Sequence, residues 1–272
     1  MKSISMLQPI TLFLSNKLKG LKSRLEIYSL PNTKSCSVHG QIILLRLDSQ
    51  KELKRAKTYS TKEPNTLDWL DEAIKEGDVY YDIGANIGLY SLYPAIKLSG
   101  KCHIYAFEPE ALNFAKLNIN INLNSLSGCI KSYPVALNSK NSVTDFYLNR
   151  FGYGEALHQL GRKLNNMNQT FNPVHTQGAI GMTLDSLVYE YGLPCPNHIK
   201  IDVDGLEHDV VSGGKRVFSS TEVRSVLVEV SKPVDGVSEE EWFIEFFSNC
   251  GFSLASYPDK RSRTENLIFK RP

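Results

Sequence analysis

The sequence has no long apolar run and almost no excess of one charge. Near the N-terminus, residues 6–30 mix apolar and basic side chains, and their longest apolar stretch, Ile10–Leu14, is interrupted by Thr11. A signal peptide needs an apolar core of about 7–15 residues and a membrane-spanning helix about 20, so we expect no stable membrane insertion. The formal net charge is only +2, which argues against a dedicated nucleic-acid-binding protein.

Disulfide and metal signatures are also missing. The five cysteines are scattered, odd in number and form no C-x-x-C pair, and no H-E-x-x-H motif occurs. This pattern argues against a disulfide framework and a zinc site, and it is typical of reduced thiols in a cytoplasmic protein. We therefore predict a cytoplasmic location and no bound metal.

The sequence does contain a strand–glycine turn–helix pattern. The apolar residues 79–81 lead into Asp82, and Gly84, Asn86 and Gly88 follow before a helix-like run. Such a turn presents backbone N–H groups and a helix N-terminus to a nucleotide-like ligand. The dinucleotide motif G-x-G-x-x-G has a glycine in its middle, where this chain has Asn86, so a nucleoside without a pyrophosphate fits better.

An acidic residue follows at the distance expected for ribose recognition. The apolar run 104–107 reads as a buried strand and ends at Glu108, which lies 20 residues beyond Gly88 (108 − 88). A carboxylate at such a strand tip can accept hydrogen bonds from both ribose hydroxyls. We predict S-adenosylmethionine as the cofactor, with these binding residues: Asp82, Gly84, Asn86, Gly88 and Glu108.

Alternating strand and helix patterns predict an α/β fold with a doubly wound, mainly parallel sheet. The predicted strands are 79–83, 102–107, 130–136, 197–203 and 226–230, closed by an antiparallel pair at 252–257 and 266–270. The predicted helices are 65–75, 88–98, 110–122, 205–218 and 239–249. We predict a catalytic domain at 61–272, with residues 1–60 as an N-terminal extension of helix and strand that packs on it.

One segment, residues 138–182, breaks the alternation. Residues 142–148 read as a strand, but the rest is rich in Asn, Gln and Gly with scattered aromatic residues. Long loops in compact domains often bind ligands, so we predict a long substrate loop here and name His175 as a substrate-binding residue.

A second motif lies near residue 200. Lys200 and Asp202 are two residues apart in a predicted central strand, so they share one face, where polar side chains are costly unless paired or used. We predict Asp202 as a catalytic base that Lys200 orients, with a structural ion pair as the alternative. Glu229 ends the next strand and is a candidate for substrate binding, whereas Glu207 reads as a structural residue in the first turn of a helix.

These motifs together resemble the FkbM-type S-adenosylmethionine-dependent methyltransferases. The resemblance runs from about residue 63 to 269 and rests on G77-D-V-x-x-D-x-G-A-N-x-G88, F107-E-P109, T183-L-D-S-L187, K200-I-D-x-x-G-x-E207, a glycine at 213 or 214, and Glu229. Asp204 stands where the family usually has glutamate. The resemblance implies a seven-stranded methyltransferase fold and methylation of a hydroxyl on a sugar, a glycan or a secondary metabolite.

Three alternatives remain open from the residues themselves. An N-methyltransferase acting on a small molecule is the closest, because no residue excludes it. A NAD-dependent oxidoreductase or epimerase would need the missing middle glycine. A non-catalytic module would be expected to have lost Asp82, the glycines or Glu108, all of which are present. The sequence predicts neither the acceptor nor the oligomeric state.

Overall fold

The structure is a computed structural model that describes residues 32–163, 169–231, 239–256 and 264–272. The basic segment at 6–30 therefore lies outside the described residues, and so does the helix predicted for the N-terminal extension. No helix in the described ranges is both long and apolar enough to cross a membrane.

The described chain begins with a hairpin and two helices. Their bounds are β1 Thr33–Val38, β2 Gln41–Arg46, α1 Gln50–Lys62 and α2 Pro64–Ala73. Ser49 caps α1 by accepting a hydrogen bond from the Glu52 N–H. Ile43 and Tyr59 are buried in the same apolar cluster as Tyr80 of the central sheet. The boundary predicted at residue 60 thus falls inside α1, a helix that shares its core with the central sheet.

A seven-stranded sheet forms the centre of the molecule. Its order is β12-β13-β11-β10-β3-β4-β5, with β3 Val79–Ile83, β4 His103–Phe107, β5 Ile130–Tyr133, β10 His198–Ile201, β11 Ser225–Ser231, β12 Ser253–Ser256 and β13 Thr264–Lys270. The strands from β11 to β5 are mutually parallel, while β13 runs antiparallel to β11 and β12. The predicted α/β fold with a mainly parallel seven-stranded sheet is confirmed.

Helices cover the sheet and close its crossovers. They are α3 Leu89–Lys97, α4 Ala111–Leu123, α5 Leu184–Tyr189, α6 Glu207–Ser212, α7 Lys215–Ser219 and α8 Glu240–Asn249. The prediction of a single helix at 205–218 is wrong, because the helix is interrupted at residues 213–214, between α6 and α7. At the break, a Cβ on Gly213 would lie 2.1 Å from the Asn138 carbonyl oxygen, so the helix end packs directly on another backbone segment.

The segment 138–182 is not one long loop. Together with residues 136–137 it forms a small four-stranded sheet of order β6-β9-β7-β8, with bounds β6 Ala136–Leu137, β7 Ser142–Leu148, β8 Gln159–Leu160 and β9 His175–Met182. The predicted strand at 142–148 is confirmed. The strand predicted at 130–136 is too long, because Ala136 pairs with β9 instead. Phe146 and Leu160 bury one face of the small sheet against Leu206.

Candidate active site

A cavity of about 290 Å³ opens at the carboxyl ends of β3, β4 and β10. Its floor is the edge of the central sheet, one wall is the small sheet with the connection at 155–158, and the other wall is α1. In a doubly wound sheet this edge is where ligands bind. Of the predicted site residues, those lining the cavity are Gly84, Asn86, Glu108, Asp202 and Glu229.

The glycine turn after β3 has the left-handed backbone that its sequence predicts. Gly84, Asn86 and Gly88 have φ angles of +83°, +50° and +94°. A Cβ on Gly84 would lie 1.8 Å from the carbonyl oxygen of Asp202, and one on Gly88 would lie 2.6 Å from the Leu117 side chain. Packing requires glycine at Gly84, where the turn meets the backbone after β10, whereas at Gly88, beside the Leu117 side chain of α4, the positive φ favours glycine.

Glu108 is bound to this turn. Its Oε2 accepts a hydrogen bond from the Asn86 N–H at 2.7 Å, and its Oε1 accepts one from the Glu110 N–H at 2.9 Å. The residue is only 5% exposed, and burial raises the pKa of its carboxyl to about 8 despite those two bonds. Each oxygen keeps a free lone pair at the cavity, which is what two neighbouring ribose hydroxyls need.

Asp82 and Gly88 have a different position from the other predicted cofactor residues. Neither lines the cavity. Asp82 is fully buried beneath the turn, where its Oδ2 accepts a hydrogen bond from the Ser91 hydroxyl at 2.5 Å. Burial raises the pKa of Asp82, although the nearby Lys200 ammonium acts in the opposite direction. Both residues therefore support the turn from below.

Lys200, Asp202 and Glu229 form a charged group on the cavity floor. The Lys200 ammonium is 1% exposed and donates a hydrogen bond to Asp202 Oδ2 at 2.8 Å, while the Asp202 side chain is 22% exposed. Burial would raise the pKa of Asp202, but Lys200 and a hydrogen bond from Glu229 lower it to about 2. Burial and the Asp202 charge raise the pKa of Glu229 well above its usual range. Lys200 and Glu229 thus favour the ionised form of Asp202, and the Asp202 charge favours the protonated form of Glu229.

The loop after β10 is fixed by carboxylates. Glu207 accepts hydrogen bonds from the N–H groups of Val203 and Gly205, both at 2.9 Å, which supports the prediction of a structural role. Burial raises its pKa to about 7. Asp204 has a φ of +59° and accepts a hydrogen bond from the Leu157 N–H at 2.6 Å. Asp204 therefore joins this loop to the wall opposite α1.

The wall at residues 153–158 is held in place from several sides. The side-chain amides of Asn86 and Asn113 donate hydrogen bonds to the Glu155 carbonyl at 2.8 and 3.1 Å. Asn113 also accepts one from the Gly154 N–H at 2.8 Å. This connection between β7 and β8 is thus a built part of the site, tied to the same turn that Glu108 contacts.

Sequence reasoning missed His158 on this wall. His158 is 6% exposed, lines the cavity, and neither ring nitrogen has a hydrogen-bond partner among the described residues. Burial, with the positive charge of Arg55, lowers the pKa of His158 to about 4, so its imidazole is neutral at physiological pH. No local motif marks this histidine, because its position depends on the small sheet. His175 instead lies outside the cavity, with its ring 4.9 Å from that of Phe151.

Sequence reasoning also missed the contribution of α1. Five side chains on one face of this helix line the cavity: Lys51, Lys54, Arg55, Thr58 and Lys62. Their spacing of i, i+3, i+4, i+7 and i+11 follows the helical period, so this signal was present in the sequence. Among the described residues, no cluster of three or more His, Cys, Asp or Glu side chains could hold a metal ion.

The central sheet, the glycine turn and the acidic strand tips define a Rossmann-like methyltransferase. Residues 82–254, more than half of the chain, match the methyltransferase FkbM domain, and the protein belongs to that family. The resemblance seen in the sequence is confirmed.

Three curated relatives are similar over much of the chain. The hexuronic acid methyltransferase AglP of Haloferax volcanii is 28% identical over 64% of this chain and 64% of its own length. The 31-O-demethyl-FK506 methyltransferase FkbM of Streptomyces tacrolimicus is 25% identical over 68% of this chain and 76% of its own length. The 2-O-methyltransferase NoeI of Sinorhizobium fredii is 29% identical over 58% of this chain and 65% of its own length. The chain thus spans less than two thirds of the length of AglP and NoeI.

Proposed function

We propose that this protein transfers the methyl group of S-adenosylmethionine to a hydroxyl of a sugar, a glycan or a related secondary metabolite. The observation that carries the proposal is that Gly84, Glu108, Asp202 and Glu229 line one cavity, with the buried Lys200 bonded to Asp202. The unpaired thiols of all five cysteines favour a cytoplasmic location.

The residues around the turn fit the cofactor. Gly84 lets the turn pack directly on the Asp202 backbone at the cavity, and in the ionised form of Glu108 each oxygen has a lone pair beyond its backbone hydrogen bond, which matches a ribose diol. When bound, S-adenosylmethionine supplies an electrophilic methyl group on a positively charged sulfur. The protein's part is to hold an acceptor oxygen in line with that methyl group, and such positioning supplies much of the rate enhancement.

Asp202 is the proposed acceptor of the hydroxyl proton. It is ionised and lines the cavity, while Lys200 fixes its orientation. Its low pKa makes it a weak base towards a free alcohol. An alcohol oxygen becomes strongly acidic once its bond to the methyl carbon forms, so a weak base suffices late in the transfer. Glu229 keeps the Asp202 charge in place by donating a hydrogen bond to it.

The relatives favour oxygen over nitrogen as the methylated atom. Two of the three names specify O-methylation, and one names a hexuronic acid. The cavity wall adds Phe146, His158 and Asn113, which suit a polyhydroxylated ring through ring packing and hydrogen bonds. Membership of a methyltransferase family also disfavours the oxidoreductase alternative.

The test is a transfer assay with methyl-labelled S-adenosylmethionine and a panel of neutral and acidic glycosides. We expect the label on a hydroxyl oxygen of the acceptor and an equal amount of S-adenosylhomocysteine. Asp68→Asn, the same change at an exposed position outside the cavity lining, is the control for Asp202→Asn. Label on nitrogen, or binding of NAD in place of S-adenosylhomocysteine, would contradict the proposal.

A further inference from the structure

The α1 face that lines the cavity is cationic at four of its five positions, Lys51, Lys54, Arg55 and Lys62. This helix precedes residue 82, where the match to the family begins. The helix therefore lies outside the part of the chain that matches the family.

Two of these cations have counter-charges. The Lys51 ammonium lies 3.9 Å from the Glu155 carboxylate, and Lys62 pairs with Glu63. Burial would lower the pKa of Lys62, but Glu63, Asp202 and Glu229 together raise it. The C-terminal end of α1 therefore lies near the catalytic carboxylates, and its charge is already balanced there.

The other two cations form no ion pair with a described residue, although the Asp204 carboxylate at the same cavity is close enough to interact electrostatically with Arg55. Lys54 is exposed at the cavity, and no described residue pairs with its ammonium. Arg55 donates one hydrogen bond through Nε to the Gly154 carbonyl at 2.8 Å, and no described residue binds its two terminal nitrogens. That bond holds the guanidinium against the wall at 153–158, and its remaining N–H groups have no partner among the described residues.

His158 lies beside this pair of cations. Its imidazole is buried, neutral and without a hydrogen-bond partner among the described residues, although it lines the same cavity. The Arg55 charge is close enough to act on it. A buried polar group without a described partner, beside an exposed lysine and an arginine whose terminal nitrogens no described residue binds, is a setting that a bound anion with hydrogen-bonding groups would complete.

We propose that the methyl acceptor carries an anionic group, a carboxylate or a phosphate, and that Lys54 and Arg55 bind it beside His158. This rests on the proposed function. Arg55 and Lys62 are seven residues apart, or about 10 Å along the helix. The anion is thus held away from the Asp202 carboxylate, which would repel it, while the reacting hydroxyl lies near Asp202.

The test uses protein saturated with S-adenosylhomocysteine and three probes: D-glucuronate, D-glucose 6-phosphate and neutral D-glucose. The readout is the His158 imidazole resonance, assigned with His158→Gln, together with calorimetric affinity. We expect at least one anionic probe to bind and to raise the pKa of His158, because the anion neutralises the nearby Arg55 charge. The preferred probe then identifies the anion as carboxylate or phosphate.

The variants locate the effect. The double variant Lys54→Gln/Arg55→Gln should bind the anionic probe ~10-fold or more weakly than the wild type, as expected for lost charge-assisted hydrogen bonds. Lys54→Gln alone, which breaks no contact within the described chain, should cause part of that loss. Lys57→Gln, the same charge change outside the cavity lining on the same helix, should cause none.

Several results would overturn the inference. They are equal binding of glucose and the anionic probes, no response of His158 to either anion, or an equal loss in Lys57→Gln. A fall in S-adenosylhomocysteine affinity in the double variant would also overturn it, because the cations would then serve the cofactor. If wild-type protein fails to bind S-adenosylhomocysteine, the proposed function itself is wrong; if it binds but ignores the anions, only this inference fails.

Discussion

Replacing Glu108 by glutamine tests the ribose assignment while keeping the shape of the side chain. Both carboxylate oxygens accept a backbone N–H, at 2.7 and 2.9 Å, and both keep a lone pair for the cofactor. Glutamine offers one oxygen and one NH2 group, so one backbone N–H and one ribose hydroxyl lose their acceptor. A hydrogen bond to a charged group is worth about 1.5–3 kcal/mol, which corresponds to a ~10- to 150-fold loss of affinity.

The pH dependence adds a second signature. The pKa of Glu108 is about 8 in the cofactor-free protein, and the ionised form is the one that accepts two ribose hydroxyls. Binding must therefore displace a proton below pH 8, so affinity should fall by up to about tenfold per pH unit there and level off above. In Glu108→Gln this slope should be absent.

The assay is calorimetric titration with S-adenosylhomocysteine between pH 6 and 9. Glu190→Gln, an exposed charge-to-amide change, is the matched control, and thermal unfolding checks that both variants fold. The reasoning is refuted if, at pH 9, Glu108→Gln binds within about twofold of the wild type, a difference well below one charge-assisted hydrogen bond. An unchanged pH slope in the variant would refute it as well.

Three further perturbations follow from the site. Asp202→Asn should slow methyl transfer by ~10²-fold or more and leave the affinity for S-adenosylhomocysteine nearly unchanged. Asp68→Asn is the control. Full turnover in Asp202→Asn would show that Asp202 is not the base. Gly84→Ala places a Cβ 1.8 Å from the Asp202 carbonyl, so chemical denaturation should show a greater loss of stability than for Gly192→Ala, which has a similar positive φ but open space. A comparable loss at both positions would contradict the close packing. Folding raises the pKa of Glu207 to about 7. The folded protein therefore holds this proton more tightly than the unfolded chain does. The stability that results is complete below the pKa of the unfolded chain and is lost as the pH rises to about 7. Between pH 5 and 7, the free energy of unfolding should therefore fall with pH less steeply in Glu207→Gln than in the wild type, by about 1.4 kcal/mol per pH unit. The same pH dependence in both proteins would argue against a buried, protonated Glu207.

The central sheet could be predicted because its strands are short apolar runs. β3, β4 and β10 are almost entirely buried, and β4 and β10 are each followed by an acidic residue at the cavity edge. Parallel strands bring their carboxyl ends to one edge, so Glu108 and Asp202 had to approach the same place. The left-handed turn at Gly84 could be predicted for a similar reason, since glycine adopts it without strain.

The small sheet could not be predicted from local pattern. β9 has the sequence HTQGAIGM, in which glycine and polar residues obscure the alternation of a strand. It is held by antiparallel pairing with β7 over nearly the whole of both segments, and that partner lies about 30 residues away in the chain. His158 and the wall at 153–158 depend on that pairing, so they were missed together.

Burial at the strand tip was also not predictable. A carboxylate at the tip of a strand is expected to lie outside the core, yet Glu108 is 5% exposed. Its two oxygens are bound by the N–H groups of Asn86 in the glycine turn and of Glu110 at the start of α4, and Asn86 lies 22 residues before it in the sequence. The cationic face of α1, in contrast, could have been found from its helical spacing in residues 51–62.

The most direct test of the account is a crystal structure of the S-adenosylhomocysteine complex. We predict both ribose hydroxyls within about 3 Å of the Glu108 carboxylate, and the sulfur facing the side of the cavity that Asp202 and Glu229 line. A ribose that makes no contact with Glu108, or an adenosine bound outside this cavity, would contradict the account.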